Sequence, residues 1–194
     1  MDPVNPYRLH RRQHGASRVL RRSILVLCCI TGLFYQASAA DEQSLEYQVK
    51  AAFVLNFTKF TEWPSSAFPA VDSPFLICIL GMDPFGGSLE QIIQGEAIGG
   101  HRMAIQRINR GSRPQGCQVL FAGQAEKDTR MALADLGAGV LTIGEGDSFL
   151  QDGGMISFII ENRRTRFDIN LKAAESAGLK LSSRLLSVAR TVKP

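Results

Sequence analysis

Apolar residues recur at helical spacing in the segment SLEYQVKAAFVLNFTKFTEW, which spans residues 44–63. The repeating apolar positions are Val49, Phe53, Phe57 and Phe60. This periodicity predicts a helix that turns one face toward a core, with Lys50 on or near its polar side. Pro64 is expected to end the helix, because the residue before a proline avoids the helical conformation.

Continuous apolar runs follow, and they are typical of strands that are buried on both faces of a sheet. The clearest are PFLICILG (74–81), CQVLFAG (117–123) and VLTIGEG (140–146), and a fourth strand is predicted at 102–108. A helix closed by Gly137 is predicted between the second and third of these runs. The alternation predicts an α/β fold: a single three-layer-like domain with a mixed, partly parallel sheet flanked by helices.

The stretch GGMISFIIENRRTRFDIN (153–170) predicts a C-terminal β-hairpin. Its alternating apolar positions are Ile156, Phe158 and Ile160 on the first strand and Phe167, Ile169 and Leu171 on the return strand. Asn162 supplies the left-handed conformation that a tight turn needs. Two helices are predicted after the hairpin, one ended by Gly178 and the last one capped by Ser182 or Ser183.

The first 39 residues have the three parts of a secretory signal peptide. A basic start holds six arginines, an apolar run of 12 residues covers 24–35, and Ala37 and Ala39 form an A-x-A cleavage pattern. We expect removal of residues 1–39, which leaves 40–194 as one domain in the periplasm. The alternative is an uncleaved anchor, but the apolar run is shorter than the roughly 20 residues that a spanning helix needs.

Removal of this leader changes the charge of the protein. The whole chain has 22 basic and 18 acidic residues, and the leader holds six arginines and Asp2. Subtracting the leader's residues from 22 and 18 leaves 16 basic and 17 acidic residues. No excess of positive charge remains, so we expect no nucleic acid among the partners.

Few side chains of catalytic type remain after the leader. His101 is then the single histidine, and the sequence has no nucleophile elbow, zinc-protease motif or phosphate-binding loop. We therefore predict no enzymatic activity, no metal and no cofactor. The competing hypothesis is a hydrolase that uses Glu145, Asp147 or His101, and it requires a cleft that brings these side chains together.

The connection GMDPFGG (81–87) is the most site-like local feature, because it lies where a buried strand passes into a helix. Open α/β sheets bind ligands outside the carboxyl ends of their strands. Asp83, Phe85 and Gly86 are therefore the candidate ligand pocket, with the first helix as a second wall. The alternative is that glycine and proline only shape the turn, and that Asp83 caps a helix starting at Pro84.

Two cysteines, Cys78 and Cys117, lie on predicted buried strands that could be neighbours in the sheet. An exported protein can keep a disulfide, and this one would close a loop of about 40 residues, with a stabilisation of roughly 3–4 kcal/mol. The alternative is two separate buried thiols.

Three arginines cluster at the predicted hairpin end, with Arg163 and Arg164 near the tip and Arg166 at the start of the return strand. Glu161 and Asp168 are close enough in a hairpin to pair with them. A basic cluster that carries its own acids is typical of a solvated tip rather than an anion pocket. Arg163 and Arg164 are therefore candidates for contact with a protein partner.

Apolar residues near the C-terminal end form a second candidate surface. The periodicity does not place Leu179, Leu181 and Leu185 all in the core. Those outside the core would contribute to a partner or dimer surface.

Four segments together resemble the signature blocks of the YfiR family, in order and in spacing. They are EYQVKAAFVLNFTKFTEWP, PFLICILGMDPFG, GCQVLF and GGMISFIIENRRTRFDINLKAAESAGLKLSSRLLSVAR. The match runs from about Tyr47 to the last helix, and the final block is the most specific. Proteins of this family are small periplasmic α/β proteins that are not enzymes.

The resemblance implies a repressor that binds the periplasmic portion of an inner-membrane diguanylate cyclase and keeps cyclic-di-GMP and biofilm output low. It also implies sequestration by an OmpA-like outer-membrane lipoprotein, dimerisation, and redox control through cysteines. Cys78 and Cys117 match the family's strand cysteines, whereas a second, more C-terminal pair has no counterpart in LTIGEGDSFLQDGG (141–154). The competing interpretation is a periplasmic small-molecule-binding sensor domain, which predicts an apolar cavity at the strand ends.

Overall fold

The computed structural model describes residues 42–123, 129–134 and 136–194. The predicted leader and its cleavage position therefore lie outside the described residues. Residues Leu45–Pro194 form one compact unit. Within the described ranges, no helix combines the length and the apolar character that crossing a membrane requires.

The helices and strands alternate along the chain. The helices are α1 (42–59), α2 (Ser88–Ile93), α3 (Thr129–Ala134), α4 (Asp147–Gln151), α5 (Leu171–Ser176) and α6 (Ser183–Val188), with a 3-10 turn at Ser65–Ala67. The strands are β1 (Thr61–Glu62), β2 (Phe75–Leu80), β3 (Ala97–Ile98), β4 (His101–Ile108), β5 (Val119–Ala122), β6 (Leu141–Glu145), β7 (Ile156–Glu161), β8 (Arg164–Asn170), β9 (Lys180–Leu181) and β10 (Thr191–Lys193).

Eight of the strands form one sheet in the order β10-β8-β7-β6-β5-β2-β4-β3, and β1 and β9 form a separate antiparallel pair. Neighbours from β7 through β4 in this order run parallel, and so do β8 and β10. The pairs β7–β8 and β3–β4 are antiparallel. This mixed, partly parallel sheet with flanking helices confirms the predicted α/β fold.

Helices cover both faces of the sheet, and each face has its own apolar core. Alternate side chains of β2 point to opposite faces, so Ile77 and Ile79 enter the first core while Cys78 and Leu80 enter the second. Residues of α1, α2, α5 and α6 pack in the first core, and residues of α3 and α4 pack in the second. Coverage of both faces explains why the central strands read as continuous apolar runs.

The order of the strands reverses between β2 and β5. The chain passes from β2 to β4 on one side, and β5, β6 and β7 then continue on the other side. The carboxyl ends of β2 and β5 are therefore the switch point at which open α/β sheets form a ligand crevice. We call this side of the molecule the carboxyl end of the sheet and the opposite side the amino end.

The buried face of α1 is rotated from the predicted one. Its fully buried residues are Ala51, Val54 and Phe57. Lys50 is only 4% exposed, whereas Val49 is 41% exposed. The prediction that Lys50 lies on the polar side is therefore wrong, because this lysine continues the buried stripe by one turn. The helix also ends before Pro64, because the residues that follow it form β1, which pairs with β9.

The connection between β2 and α2 also differs from its prediction. α2 begins at Ser88 and not at Pro84. The carboxylate of Asp83 accepts a hydrogen bond from the N–H of Phe85 at 2.8 Å, so it closes a turn ahead of the helix instead of capping it. Gly86 follows with a left-handed φ of 58°, which lets the chain turn again before the helix starts.

The C-terminal hairpin forms as predicted, with β7 and β8 joined by a two-residue loop. Asn162 and Arg163 have φ angles of 50° and 59°, and two left-handed residues are what a type I′ turn requires. The predicted left-handed conformation of Asn162 is confirmed, but that of Arg163 was not foreseen. The return strand starts at Arg164 rather than at Arg166. Ile160, which the alternation places toward the core, is 51% exposed.

The helices after the hairpin carry side-chain caps at their first turns. Asn170 accepts from the N–H of Ala173 at 3.1 Å, and Ser182 accepts from the N–H of Leu185 at 3.2 Å. Of the two serines considered for the last cap, Ser182 is thus the one that acts. The chain then returns to the sheet as β10, a strand that the sequence pattern did not reveal.

Candidate functional site

A buried ion pair lies at the carboxyl end of the sheet. α1 carries Lys50 over the end of β6, where its Nζ atom lies 2.5 Å from Oε1 of Glu145. The two side chains are 5% and 7% exposed. Glu46, one turn earlier in α1, also pairs with Lys50. The hydroxyl of Tyr47 donates to Oε2 of Glu145 at 3.3 Å, so four side chains form one charged cluster beneath the helix.

Lys50 and Glu145 are shielded from water, whereas Glu46 is 32% exposed. Burial, together with the negative charge of Glu145, raises the pKa of Tyr47, so the hydroxyl retains its proton and remains a donor. The ammonium of Lys50 also lies 4.5 Å from the centre of the Tyr47 ring, a cation–π geometry. A buried charge without its partner is strongly destabilising. The cluster therefore fixes the position of α1 on the end of β6.

The crevice at the switch point is filled by side chains of the chain itself. Phe85 is 3% exposed and packs edge-on against Phe121 of β5, with ring centroids 4.6 Å apart. It also contacts the ring of Tyr47 at 5.7 Å. Of the predicted pocket residues, Phe85 thus belongs to the core, Asp83 is engaged in its turn and in an ion pair with an arginine of β4, and Gly86 is exposed.

An open cleft of about 480 Å³ lies beside the buried ion pair, between the ends of β5 and β6 and the helices α3 and α4. Its charged and hydroxyl side chains are Thr129, Arg130, Glu145, Asp147, Ser148 and Asp152. Arg130 donates from Nε to Oδ1 of Asp152 at 2.9 Å, which ties α3 to the loop after α4. The cleft offers hydrogen-bonding groups rather than the mainly apolar walls of a small-molecule pocket.

The three side chains of the hydrolase hypothesis do not come together. His101 lies at the amino end of the sheet, where its ring stacks on Phe68 with centroids 3.9 Å apart and its Nδ1 lies 2.6 Å from the carbonyl oxygen of Ser73. Glu145 and Asp147 lie at the carboxyl end. Among the residues that the structure describes, no group of three or more His, Cys, Asp or Glu side chains is placed to hold a metal ion.

The two cysteines form a disulfide between neighbouring strands. Cys78 lies within β2 and Cys117 just precedes β5, with Cα atoms 5.8 Å apart, inside the usual range for such bonds. Both are buried in the second core. The register of β2 with β5 sets Cys78 opposite Leu120, so it is the chain just ahead of β5 that brings Cys117 to Cys78, and the disulfide replaces the alternative of two separate thiols.

The hairpin tip presents arginines to solvent, and the nearby acids bind a different residue. Arg163 and Arg164 are exposed. Asp168 accepts from Nε of Arg190 at 2.8 Å and from Nη2 at 2.5 Å, and Glu161 lies 3.6 Å from the same guanidinium. The predicted pairing of Asp168 with the hairpin arginines is therefore wrong. Arg190 instead fastens the end of the chain to β8.

The three C-terminal leucines considered as a partner surface are buried within the chain. Leu179, Leu181 and Leu185 are 1%, 9% and 3% exposed, and all belong to the first core. The helix caps and the short strand β9 direct these side chains into the core. Apolar periodicity over such short elements does not predict this direction. These three leucines are therefore core residues and expose little area to a partner.

Sequence reasoning missed two ion pairs at the carboxyl end of the sheet, that of Lys50 with Glu145 and that of Arg190 with Asp168. Lys50 carried a usable signal, because it stands four residues before Val54 and seven before Phe57 in the buried stripe. Glu145 ends an apolar run, which marks it as the carboxylate nearest the core. The pairing of Arg190 with the hairpin carried no local signal, because it depends on where the last strand returns.

The sequence of this chain matches the profile of the YfiR/HmsC-like family over residues 47–190. The chain therefore belongs to the YfiR/HmsC-like family, as its signature blocks indicated. Proteins of this family are regulatory rather than catalytic, and they act in the periplasm. No curated protein matches the chain.

Proposed function

We propose that this protein is a periplasmic repressor that binds the periplasmic domain of an inner-membrane diguanylate cyclase and holds the cyclase inactive. The observation that carries the proposal is the family match, which covers nearly all of the compact unit. Two features of the fold support it. The catalytic candidates lie at opposite ends of the sheet, and the switch-point crevice is filled by Phe85 and Tyr47. We therefore expect the protein to act through a surface that contacts another protein.

The contact surface that we propose is the tip of the hairpin. Its type I′ turn is short, and Arg163 and Arg164 are exposed there. Ile160 adds exposed apolar area close to the tip. Arginine beside an apolar side chain is a combination enriched at protein interfaces, where arginine can pair with carboxylates of the partner.

The first experiment is an affinity purification from detergent-solubilised envelopes of the source organism, with a tag inserted after Ala39. We expect mass spectrometry to identify a membrane protein that carries a diguanylate cyclase domain. Adding reductant tests whether the Cys78–Cys117 disulfide is needed for the complex. Recovery of the protein without any cyclase or related membrane sensor would contradict the proposal.

A matched pair of charge variants then tests the hairpin tip. Reversal at the tip, Arg163→Asp with Arg164→Glu, should weaken binding to the purified cyclase domain by about tenfold or more, because two interface charges become repulsive. The control is Lys172→Glu with Lys180→Glu, which changes the net charge equally at exposed positions in α5 and β9. Equal weakening of binding by both variants would show that the hairpin tip is not part of the interface.

An OmpA-like outer-membrane lipoprotein and a second copy of the chain are further proposed partners, and export through cleavage after Ala39 is part of the same proposal. Mass spectrometry of the mature N-terminus tests the cleavage. Sedimentation of the purified protein over a concentration series tests dimerisation. The same affinity purification tests for the lipoprotein.

A second candidate function is a sensor domain for a small molecule, for which the cleft of about 480 Å³ beside Glu145 offers space, although its lining is polar and not the apolar cavity that this hypothesis predicts. Native mass spectrometry of the protein purified from the periplasm tests this candidate. A reproducible small-molecule adduct that is lost in Asp147→Asn, a residue lining the cleft, would support it. An adduct that survives this change would place the ligand elsewhere.

A further inference from the structure

Arg190 joins the end of the chain to both strands of the hairpin. Its Nε and Nη2 atoms donate to the two carboxylate oxygens of Asp168 in β8, at 2.8 and 2.5 Å. Its Nη1 atom lies 3.6 Å from Oε1 of Glu161, the last residue of β7. The main-chain N–H of Arg190 also donates to the carbonyl oxygen of Phe167, at 2.8 Å. One residue therefore contacts the hairpin at three points.

The two carboxylates that Arg190 contacts lie at different distances from the tip. The register sets Asp168 opposite Ser157 and Glu161 opposite Arg164, so both acids lie on the same face of the hairpin. The two rows are four residues apart, which is roughly 13 Å along a strand. Arg190 thus reaches from the inner half of the hairpin to the pair of residues that flanks the turn.

The outer half of the hairpin (159–166) lacks the core contacts of its inner half. Phe158 and Phe167 pack against Phe57 of α1, with ring centroids 5.6 and 4.8 Å away. Ile160, the next residue on the same face of β7, is 51% exposed. On the opposite face, Ile159 lines a cleft of about 390 Å³ between α4 and the chain end. A two-stranded ribbon without core contacts is marginally stable, so its direction depends on contacts from outside the ribbon.

The hydrogen bonds to Asp168 fix the position of the guanidinium. The side chain of Asp168 is 7% exposed and that of Arg190 is 33% exposed. A bidentate pair of arginine and carboxylate has a defined geometry, which a lysine cannot reproduce with its single ammonium group. The bidentate pair leaves Nη1 on the side of Glu161, where it reaches the outer half of the hairpin.

We propose that Arg190 is a positioning residue for the hairpin tip. By holding Glu161, it keeps the outer half of the hairpin, and with it Arg163 and Arg164, in the orientation that the partner contacts. A tip that is already oriented loses less conformational freedom on binding. This inference rests on the proposed function, in which the tip contacts the cyclase. It makes the affinity for the partner depend on the last strand, because β10 pairs with β8 directly after Arg190.

The first test needs no partner and measures hydrogen exchange of the natively processed protein labelled with ¹⁵N. Glu161→Gln weakens the contact with Arg190 and leaves the bidentate pair with Asp168 intact. We expect exchange at the amide of Arg166, in the outer half of β8, to become about twofold to fivefold faster. The amide of Ile143 in the central strand β6 should exchange at an unchanged rate, whereas a loss of global stability would change both rates.

Binding to the purified periplasmic domain of the cyclase then separates orientation from charge. Glu161→Gln removes a negative charge near the tip. Charge alone would therefore strengthen binding to a partner whose carboxylates meet Arg163 and Arg164. The proposal predicts the opposite, binding that is about twofold to fivefold weaker, because the tip must be ordered on binding. The matched control is Glu175→Gln at an exposed position of α5, which should leave binding unchanged.

A second variant tests the geometry of the guanidinium. Arg190→Lys keeps the charge but cannot contact Asp168 in a bidentate manner and reach Glu161 at the same time. It should bind the cyclase domain about fivefold more weakly, whereas the control Arg102→Lys, at an exposed position of β4, should bind as the wild-type protein does. Should Arg190→Lys fail to fold, Glu161→Gln still decides the matter.

Three results would overturn the proposal. These are unchanged exchange at Arg166 in Glu161→Gln, an equal acceleration at Ile143, and binding by Glu161→Gln that equals or exceeds that of the wild-type protein. Failure of the proposed function has a different signature. The wild-type protein itself would then not bind the cyclase domain, and the difference in exchange between Glu161→Gln and the wild-type protein would remain.

Discussion

The two ends of the sheet are closed by different kinds of interaction. At the carboxyl end, α1 is held by the buried pair of Lys50 and Glu145, with Tyr47 donating to the same carboxylate. At the amino end, the closing contacts are neutral or covalent. The side chain of Gln118 accepts from the N–H of Leu76 and donates to the carbonyl oxygen of Ala67, both at 2.7 Å. The disulfide lies on the same side, where Cys117 precedes β5.

This difference explains why the usual ligand position of an open α/β sheet is closed in this protein. The carboxyl end is where charges are stabilised in proteins that bind ligands there. Here the buried charges are Lys50 of α1 and Glu145 of β6, which pair with each other, and Phe85 fills the space at the switch point. The hairpin tip extends from the same end, because β7 runs parallel to β6, and its exposed arginines are left for contact with partners.

The largest effect is expected from breaking the ion pair at the carboxyl end. Lys50→Met leaves Glu145 buried with its ammonium partner removed, which should lower the free energy of unfolding by about 3–5 kcal/mol. Urea denaturation followed by circular dichroism measures this change.

The matched control for this variant combines Lys50→Met with Glu145→Leu, which removes both charges and should restore most of the stability. As a surface comparison, Arg130→Ala breaks a pair in which the arginine side chain is 79% exposed, and should cost no more than about 1 kcal/mol. If Lys50→Met costs no more than Arg130→Ala, the carboxyl end is not fixed by its buried charges.

The disulfide should give the next largest effect. Its cysteines are 39 positions apart, and reduction of a bond that closes such a loop should lower the free energy of unfolding by roughly 3–4 kcal/mol. Denaturation with and without reductant measures the difference. In the double variant Cys78→Ala with Cys117→Ala, the reductant should not change the free energy of unfolding. A remaining change would show that the reductant acts on something other than this disulfide.

The smallest of the three effects is expected at the neutral hydrogen bonds of the amino end. Gln118→Ala leaves the N–H of Leu76 and the carbonyl oxygen of Ala67 without their partner, for a loss of about 1–3 kcal/mol. The control is Gln115→Ala at an exposed position three residues earlier. Equal losses in the two variants would mean that the amide of Gln118 does not close this end.

The sequence predicted the parts of this fold that depend on local patterns. The apolar runs located β2, β5 and β6 within two residues, because strands covered on both faces have no polar alternation. Asn162 marked the hairpin, because few residues accept a left-handed conformation. The two cysteines were predicted to pair because they lie at apolar runs that could be neighbours in the sheet, and the structure joins them.

The remainder depended on contacts between distant segments. Lys50 reads as polar in isolation, and only the approach of Glu145, 95 residues later, makes its burial favourable. Asp168 was assigned to neighbouring arginines, but Arg190 reaches it because β10 returns beside β8. Leu181 and Leu185 lie in elements too short for periodicity to define a buried face, and Leu179 lies between α5 and β9.

The measurement that tests the central claim most directly is the cyclase activity of the recovered membrane partner, assayed as formation of cyclic-di-GMP from GTP in reconstituted vesicles. Adding the purified protein on the periplasmic side should lower the rate in a saturable manner. The tip variant Arg163→Asp with Arg164→Glu should require about tenfold more protein for the same inhibition. An unchanged rate at saturating protein, with binding verified in the same vesicles, would contradict the account.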